Sequence, residues 1–177
     1  MAFVSLRERL GTLPQQGRVE WIGLRPAHRA PVEVCRRVEA RAGVGLAGDR
    51  QRTGGRRQVT LIQAEHLDVL ASLLGTGPGP IDPARLRRNL VVRGLNLLAL
   101  RQARFRVGGA LLEGTGSCDP CSRMEEALGP GGFNAMRGHG GITARVLEPG
   151  IIALGDAVRL EPTEPATSAG ALQGELL

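Results

Sequence analysis

The chain has 177 residues, enough for one domain with a core of its own. Its 42% hydrophobic content, 26 Gly and 11 Pro describe a globular protein of short elements and tight turns, and no apolar run is long enough to cross a membrane. The net charge of +6 is carried entirely by arginine, because the sequence has no lysine; that excludes an internal Schiff base and with it a pyridoxal phosphate enzyme of the usual kind.

Arginine-only basicity suits phosphate and carboxylate ligands, which a planar guanidinium meets with paired hydrogen bonds. Nucleic acid is disfavoured. The arginines are scattered, and one Trp, three Phe and no Tyr leave little for bases to stack on. Arg7, Glu8 and Arg9 interrupt the stretch where a signal peptide needs an apolar run. The expected compartment is therefore cytoplasmic, with three reduced cysteines. A disulfide between Cys118 and Cys121 would close too short a ring to remove much entropy from the unfolded chain.

In chain order, "SLRERL" predicts a short helix with Ser5 and Glu8 at capping-box spacing. Gly17–Leu24 and Pro31–Ala40 are rich in β-branched residues in partial alternation, and each predicts one strand. Cys35 in the second reads as a small core residue rather than a ligand. "GVGLAGDR" is a glycine-spaced loop ending in the acid–base pair Asp49–Arg50. A strand from Gln58 to Gln63 follows, then a helix with Leu67, Leu70, Leu73 and Leu74 on one face and Gly75 as its stop. His66 on that helix reads as a packed or surface residue. Asp82 and Pro83 open a further short helix, and "LVVRG" is a strand. Two strands flank Gly108–Gly109, Thr143–Leu147 and Ile151–Ala153 flank a Pro-Gly turn, and Ala157–Leu160 is the last. Six or more short strands with a few helices between them predict a β-rich, barrel-like domain.

The chemistry concentrates in "GTGSCDPCSRMEEALGP". Cys121 falls at the start of a predicted helix running to Leu128, where free amide donors and nearby Arg123 favour a thiolate, while Glu125 and Glu126 oppose it. A thioredoxin-like motif lacks its βαβ context here. A zinc site combining Cys118 and Cys121 with Cys35 or His139 lacks a second closely spaced ligand pair. A reactive or metal-binding thiol beside an anion pocket gains from "MRGHGGITAR", where Arg137, His139 and Arg145 alternate with glycines that admit a ligand to the backbone, although those glycines also suit a plain turn.

Five segments in order, "GVGLAGDR", "RRQVTLIQAEHL", "LRRNLVVRGLNL", "CDPCSRMEEALG" and "RGHGGITARVLEPGIIALGDAV", resemble the MOSC domain, named for the C-terminal part of molybdenum cofactor sulfurases. The likeness runs from about Gly17 to Leu160 and is greatest to short, single-domain bacterial members. It implies a mostly β, barrel-like fold over 17–160, with a helical lead-in over 1–16 and a flexible tail over 161–177. It also implies a bound molybdenum cofactor of the molybdopterin type. In that family one cysteine carries sulfur or ligates molybdenum; the role maps onto Cys121, with Cys118 as the fallback. A thiolate suits a soft metal already held by the pterin's sulfurs. The "R-x-N" segment of reductase-type members maps onto Arg87 and Asn89. Arg50, Arg57 and Arg145 join them as candidate partners of the cofactor's phosphate, with Arg137 and His139 from the glycine segment.

Two functions follow from the resemblance. One is a molybdenum-dependent oxidoreductase reducing N-hydroxylated compounds, with Cys121 on the metal. The other is a non-catalytic carrier of cofactor or persulfide sulfur. The fused desulfurase and the extra N-terminal barrel of some family members have no counterpart in the sequence, nor does a flavin or iron–sulfur motif. A separate sulfur donor or electron-transfer protein is therefore the expected partner. No membrane role is expected.

Overall fold

Alternation along short strands determines which side chains enter the core. The computed structural model describes residues 5–51 and 54–162. Among the described residues the strands are, in chain order, β1 (Gly17–Leu24), β2 (Glu33–Cys35), β3 (Arg37–Arg41), β4 (Gly45–Leu46), β5 (Val59–Gln63), β6 (Leu90–Arg93), β7 (Arg104–Val107), β8 (Ala110–Ser117), β9 (Ile142–Glu148), β10 (Gly150–Ala153) and β11 (Ala157–Leu160). In β7, Phe105 and Val107 point inward while Arg104 and Arg106 point out. Arg106 donates to Glu148 at 3.0 Å on that outer face. Period-two burial of this kind leaves one face of a sheet for the core and one for water.

Seven strands close into a barrel in the order β1–β11–β7–β8–β9–β5–β6 and back to β1, with β2 added beside β1. Closure removes the barrel's sheet edges and encloses a core that includes Ile22, Leu61, Leu90, Phe105, Leu112 and Ile152. The protein is thus mostly β, with a few short helices. These are α1 (Leu6–Gly11), α2 (Ala64–Leu74), α3 (Pro83–Leu86), α4 (Ser122–Leu128) and α5 (Gly132–Met136), together with a short 3₁₀ turn at Leu97–Leu100. Among the described residues no helix is long and apolar enough to cross a membrane.

One pairing in the barrel is parallel, β5 with β6. Parallel neighbours need a crossover, and α2 and α3 supply it. They lie against the outside of these strands, where Ile62, Leu70, Leu86 and Val91 form a second core with Met124 and Met136 from α4 and α5. This explains why β5 is buried along nearly its whole length: Leu61 faces the barrel interior and Ile62 the helix layer. The local signals act as expected. Ser5 and Glu8 form a reciprocal capping box, Asp82 caps α3 ahead of Pro83, and Gly75 ends α2 at φ 62°.

Two readings need correction. Pro31–Ala40 is not one strand: β2 pairs with β1 in the barrel, the chain bends at Arg36, and β3 enters a separate three-stranded sheet with β10 and β4. Likewise the Pro149–Gly150 step does not fold β9 onto β10; it carries the chain from the barrel into that small sheet. The loop containing "GVGLAGDR" also holds a strand, β4, which pairs with β3. The first and last strands of the barrel are β1 and β11, and residues 163–177 of the expected tail lie outside the described residues.

Candidate functional site: an arginine-rich pocket at a cysteine turn

The loops at one side of the barrel converge on a buried polar network. Arg25 follows β1, Asp49 ends the glycine-spaced loop, Thr60 lies in β5, and Asn89 immediately precedes β6. Arg25 grips Asp49 with two bonds, Nε to Oδ2 and Nη2 to Oδ1, both 3.0 Å. Arg25 Nη2 also donates to Asn89 Oδ1 at 3.0 Å, and Asn89 Nδ2 donates to Asp49 Oδ2 at 2.8 Å and to the Gly23 carbonyl at 3.0 Å. Thr60 donates to Asn89 Oδ1 from both its amide and its hydroxyl. Asp49 and Asn89 are wholly buried. Burial alone would raise the Asp49 carboxyl, but the hydrogen bonds and charge of Arg25 and the Gln51 and Arg25 amides outweigh it and hold the group below its usual range. The network fixes the ends of β1, β5 and β6 relative to the loop from Gly43 to Arg50.

Beside it Arg88, 4% exposed, runs under the cysteine turn. Its Nη1 donates to the Leu86 carbonyl at 3.0 Å, its Nε to Gly140 at 2.9 Å and its Nη2 to Cys118 at 3.3 Å. The loop after α5 comes so close to the cysteine turn that a Cβ at Gly140 would collide with the Cys118 carbonyl. That close approach, not only a tight turn, is what the glycine permits.

The two thiols differ sharply. Cys118 is 1% exposed, and its Sγ accepts from Arg57 Nη2 at 3.3 Å. Cys121 is exposed and occupies the N-cap of α4. Arg87, half-buried, has φ 54° in the left-handed region and donates from Nη1 to the Ala30 carbonyl at 2.6 Å. Its Nη2 is buried and lacks a hydrogen-bond partner. Burial, then the nearby charges of Arg123, Arg25 and Arg50, push its guanidinium below the usual range. Of these, Arg87 and Arg123 border a cleft: a hollow of about 260 Å³ lies between Arg85, Arg87, Arg123, Met124, Glu126 and Ala127.

The expected site residues therefore divide. Cys118 meets Arg57 and Arg88, Arg87 lies among Arg25, Arg50 and Arg123, and Cys121 stands at the N-cap of α4, two residues before Arg123. Asn89 belongs to the same region but is spent on internal bonds, so it shapes the pocket from beneath. His139 turns away: its Nδ1 lies 2.9 Å from the Ala135 carbonyl, and its ring meets His66 of α2 edge to face at 5.1 Å. Arg137 is exposed at the end of α5. Arg145 is not brought to the pocket; it projects from the barrel's outer face in an ion pair with Glu113, Nε to Oε2 at 2.7 Å. Cys35 is half-buried against the barrel core, and burial pushes its thiol up. Among the described residues no three His, Cys, Asp or Glu are grouped so as to hold a metal ion. Arg25, Thr60 and Arg88 escaped the reading of the sequence, which named Asp49 only as half of a pair with Arg50. The acid of "GVGLAGDR" was visible, but its partner is Arg25, 24 residues back, not its neighbour Arg50.

A family model for the MOSC domain matches residues 48–159. The chain belongs to the MOSC domain family. Among solved structures, the MOSC fold here is similar to the YuaD protein from Bacillus subtilis, with a TM-score of 0.72 at 19% identity over 86% of this chain and 100% of that one. It is also similar to YiiM from Geobacillus stearothermophilus (TM-score 0.67, 17% identity, 82% of this chain and 75% of that one) and to YiiM from Escherichia coli (0.64, 20%, 82% and 70%). Comparison with curated proteins finds no match. MOSC domains as a family are associated with the molybdenum cofactor.

Proposed function

We propose that this MOSC domain binds a pterin-type molybdenum cofactor at the cysteine turn, with Cys121 as the one protein sulfur on the metal, and uses it to reduce N-hydroxylated compounds. The observation that carries the reading is the orphaned Arg87 Nη2, a buried donor without an acceptor, beside a cleft bordered by α4, the helix whose N-cap is the accessible Cys121. Buried donors are nearly always satisfied, so a missing acceptor at a pocket favours a ligand oxygen there. The donor set fits the group. A single soft thiol suits a metal that arrives with other ligands already attached, whereas a bare ion would need a cluster that the described residues lack.

In this reading Arg87 binds an anionic oxygen of the cofactor, and Arg50 and Arg57 add positive charge and donors for its phosphate. Asn89 and Asp49 hold Arg25 in place behind them and exclude water from the pocket floor. Cys118, covered by Arg57, is the less accessible thiol, so Cys121 takes the sulfur role. Bound here, the cofactor supplies the redox chemistry that cleaves an N–O bond.

The test uses the full chain purified from a molybdenum-replete host, with metal analysis, pterin fluorescence and turnover of a hydroxylamine by reduced viologen. The wild type is expected to carry molybdenum and pterin and to turn over, and Cys121→Ser to lose molybdenum by at least about tenfold with its fold intact. A Cys121→Ser protein retaining full molybdenum overturns the assignment. A persulfide on Cys121 without molybdenum or turnover replaces the reductase with the sulfur carrier.

A further inference from the structure

We infer that Arg88 is a positioning residue of this site: it ties three segments under the cysteine turn and presents a fixed positive charge to Cys121. The inference rests on the role of Cys121 proposed above, but not on any cofactor being bound. Its three carbonyl partners come from three places, the end of α3 (Leu86), the loop after α5 (Gly140) and the cysteine turn (Cys118). The side chain is nearly inaccessible, and among the described residues it makes no ion pair with a carboxylate. Burial first, with Arg57 and Arg25 adding to it, pushes its guanidinium below the usual range, and the sulfurs of the turn, Cys118 more than Cys121, oppose that.

A purely structural tie does not require a cation at this place. Burying a guanidinium among carbonyls and next to two further arginines is unfavourable, and an amide side chain could bridge some of the same carbonyls without the desolvation. Asp49, the nearest buried carboxylate of the network, is already gripped by Arg25. The uncompensated charge of Arg88 is therefore directed at the turn itself. Screening by water is weak at so buried a group, so its field at Cys121 persists at salt concentrations that mask the exposed arginines. Arg57, which reaches Cys118 from the exposed side, cannot substitute for it, because its position is not fixed by three bonds.

The measurement is site-resolved alkylation of Cys121 on the full chain made in a host that produces no molybdenum cofactor, read by peptide mass spectrometry, with iodoacetate and iodoacetamide in parallel. Both reagents attack the same sulfur, so exposure and ionisation of the thiol cancel in the ratio of the two rates, and the ratio reports the local potential. Arg88→Gln is expected to lower the iodoacetate-to-iodoacetamide ratio roughly threefold or more, and Arg88→Lys to restore most of it. An unchanged ratio in Arg88→Gln overturns the inference, as does a lysine variant that behaves like glutamine. Should Arg88→Gln fail to fold, Arg88→Met serves instead: it removes the charge at similar length, its ratio should fall likewise, and an unchanged ratio is equally decisive against the charge. Loss of molybdenum binding in the earlier experiment leaves this result standing, and the reverse also holds, so the two proposals fail separately.

Discussion

Arg87 combines two properties that rarely coincide in a side chain with a Cβ. Its φ of 54° places it in left-handed backbone at the C-cap of α3, and its guanidinium keeps one buried donor unused. Left-handed conformation costs an L-residue about 1 kcal/mol or more, which glycine avoids. A position chosen for stability alone would hold glycine or asparagine, so the arginine here is kept for its head group. Two substitutions separate the parts. Arg87→Ala and Arg87→Gly both remove the guanidinium and its bond to Ala30, but only the alanine keeps the strain. Urea denaturation should find Arg87→Gly more stable than Arg87→Ala by about 1 kcal/mol. Equal stabilities would mean that the backbone relaxes and that Arg87 stores no strain.

At the scale of elements, the helix that carries Cys121 is held by its neighbour. α4 and α5 pack so closely at Gly132 that a Cβ there would stand 2.6 Å from both the Leu128 Cβ and the Met124 carbonyl. Glu125 of α4 then caps α5, accepting from the Gly131 and Phe133 amides at 2.8 Å each. The extra methyl of Gly132→Ala must push α4 away. The variant should lose about 1–3 kcal/mol, read as a lower midpoint in urea, and Cys121 should be alkylated faster as its turn loosens. A variant as stable as wild type would show that the two helices have slack. Capping and patterning were legible at this scale because they are local. Ser5 with Glu8, Asp82 with Pro83, Gly75, and the alternation through β7 each act within a few residues. What was hidden is decided by distant partners. Nothing within "PVEVCRRVEA" says that the bend at Arg36 sends its second half to β10, more than a hundred residues away. The same holds for the site: the thiols and Arg87 stand in a recognisable segment, whereas Arg88 acquires its meaning only when Gly140 and Cys118 close around it. Arg145 looked like a pocket arginine until β8 placed Glu113 beside it.

For the whole molecule, the parallel β5–β6 step joins everything described. It brings Thr60 and Asn89 together at the strand starts, and it seats α2 so that His66 meets His139 from the loop behind the site. Each end of this step contains a group whose charge state the fold controls. His66 is pushed below its ordinary 6.5, by burial first and by the neighbouring His139 second, and its Nδ1 is buried without a partner. A neutral folded imidazole contributes stability that is complete above about pH 6.5 and fades as the pH falls from there toward the folded value. Asp49 is depressed from its ordinary 3.8, so its contribution is complete above that pH and is lost below it as the carboxylate in Arg25's grip takes up a proton. Stability measured by urea unfolding across pH should therefore fall in two steps on acidification, one beginning near neutrality and one in strong acid. His66→Gln should flatten the upper step alone. Asp49→Asn should shrink the lower one, to which Glu8 and Glu125 also contribute, while costing about 3–5 kcal/mol at neutral pH, since it leaves Arg25 buried without its counter-charge. A single smooth acid transition in the wild type, unaltered by either substitution, would mean that neither the histidine contact nor the Arg25–Asp49 pair sets the pH dependence of stability.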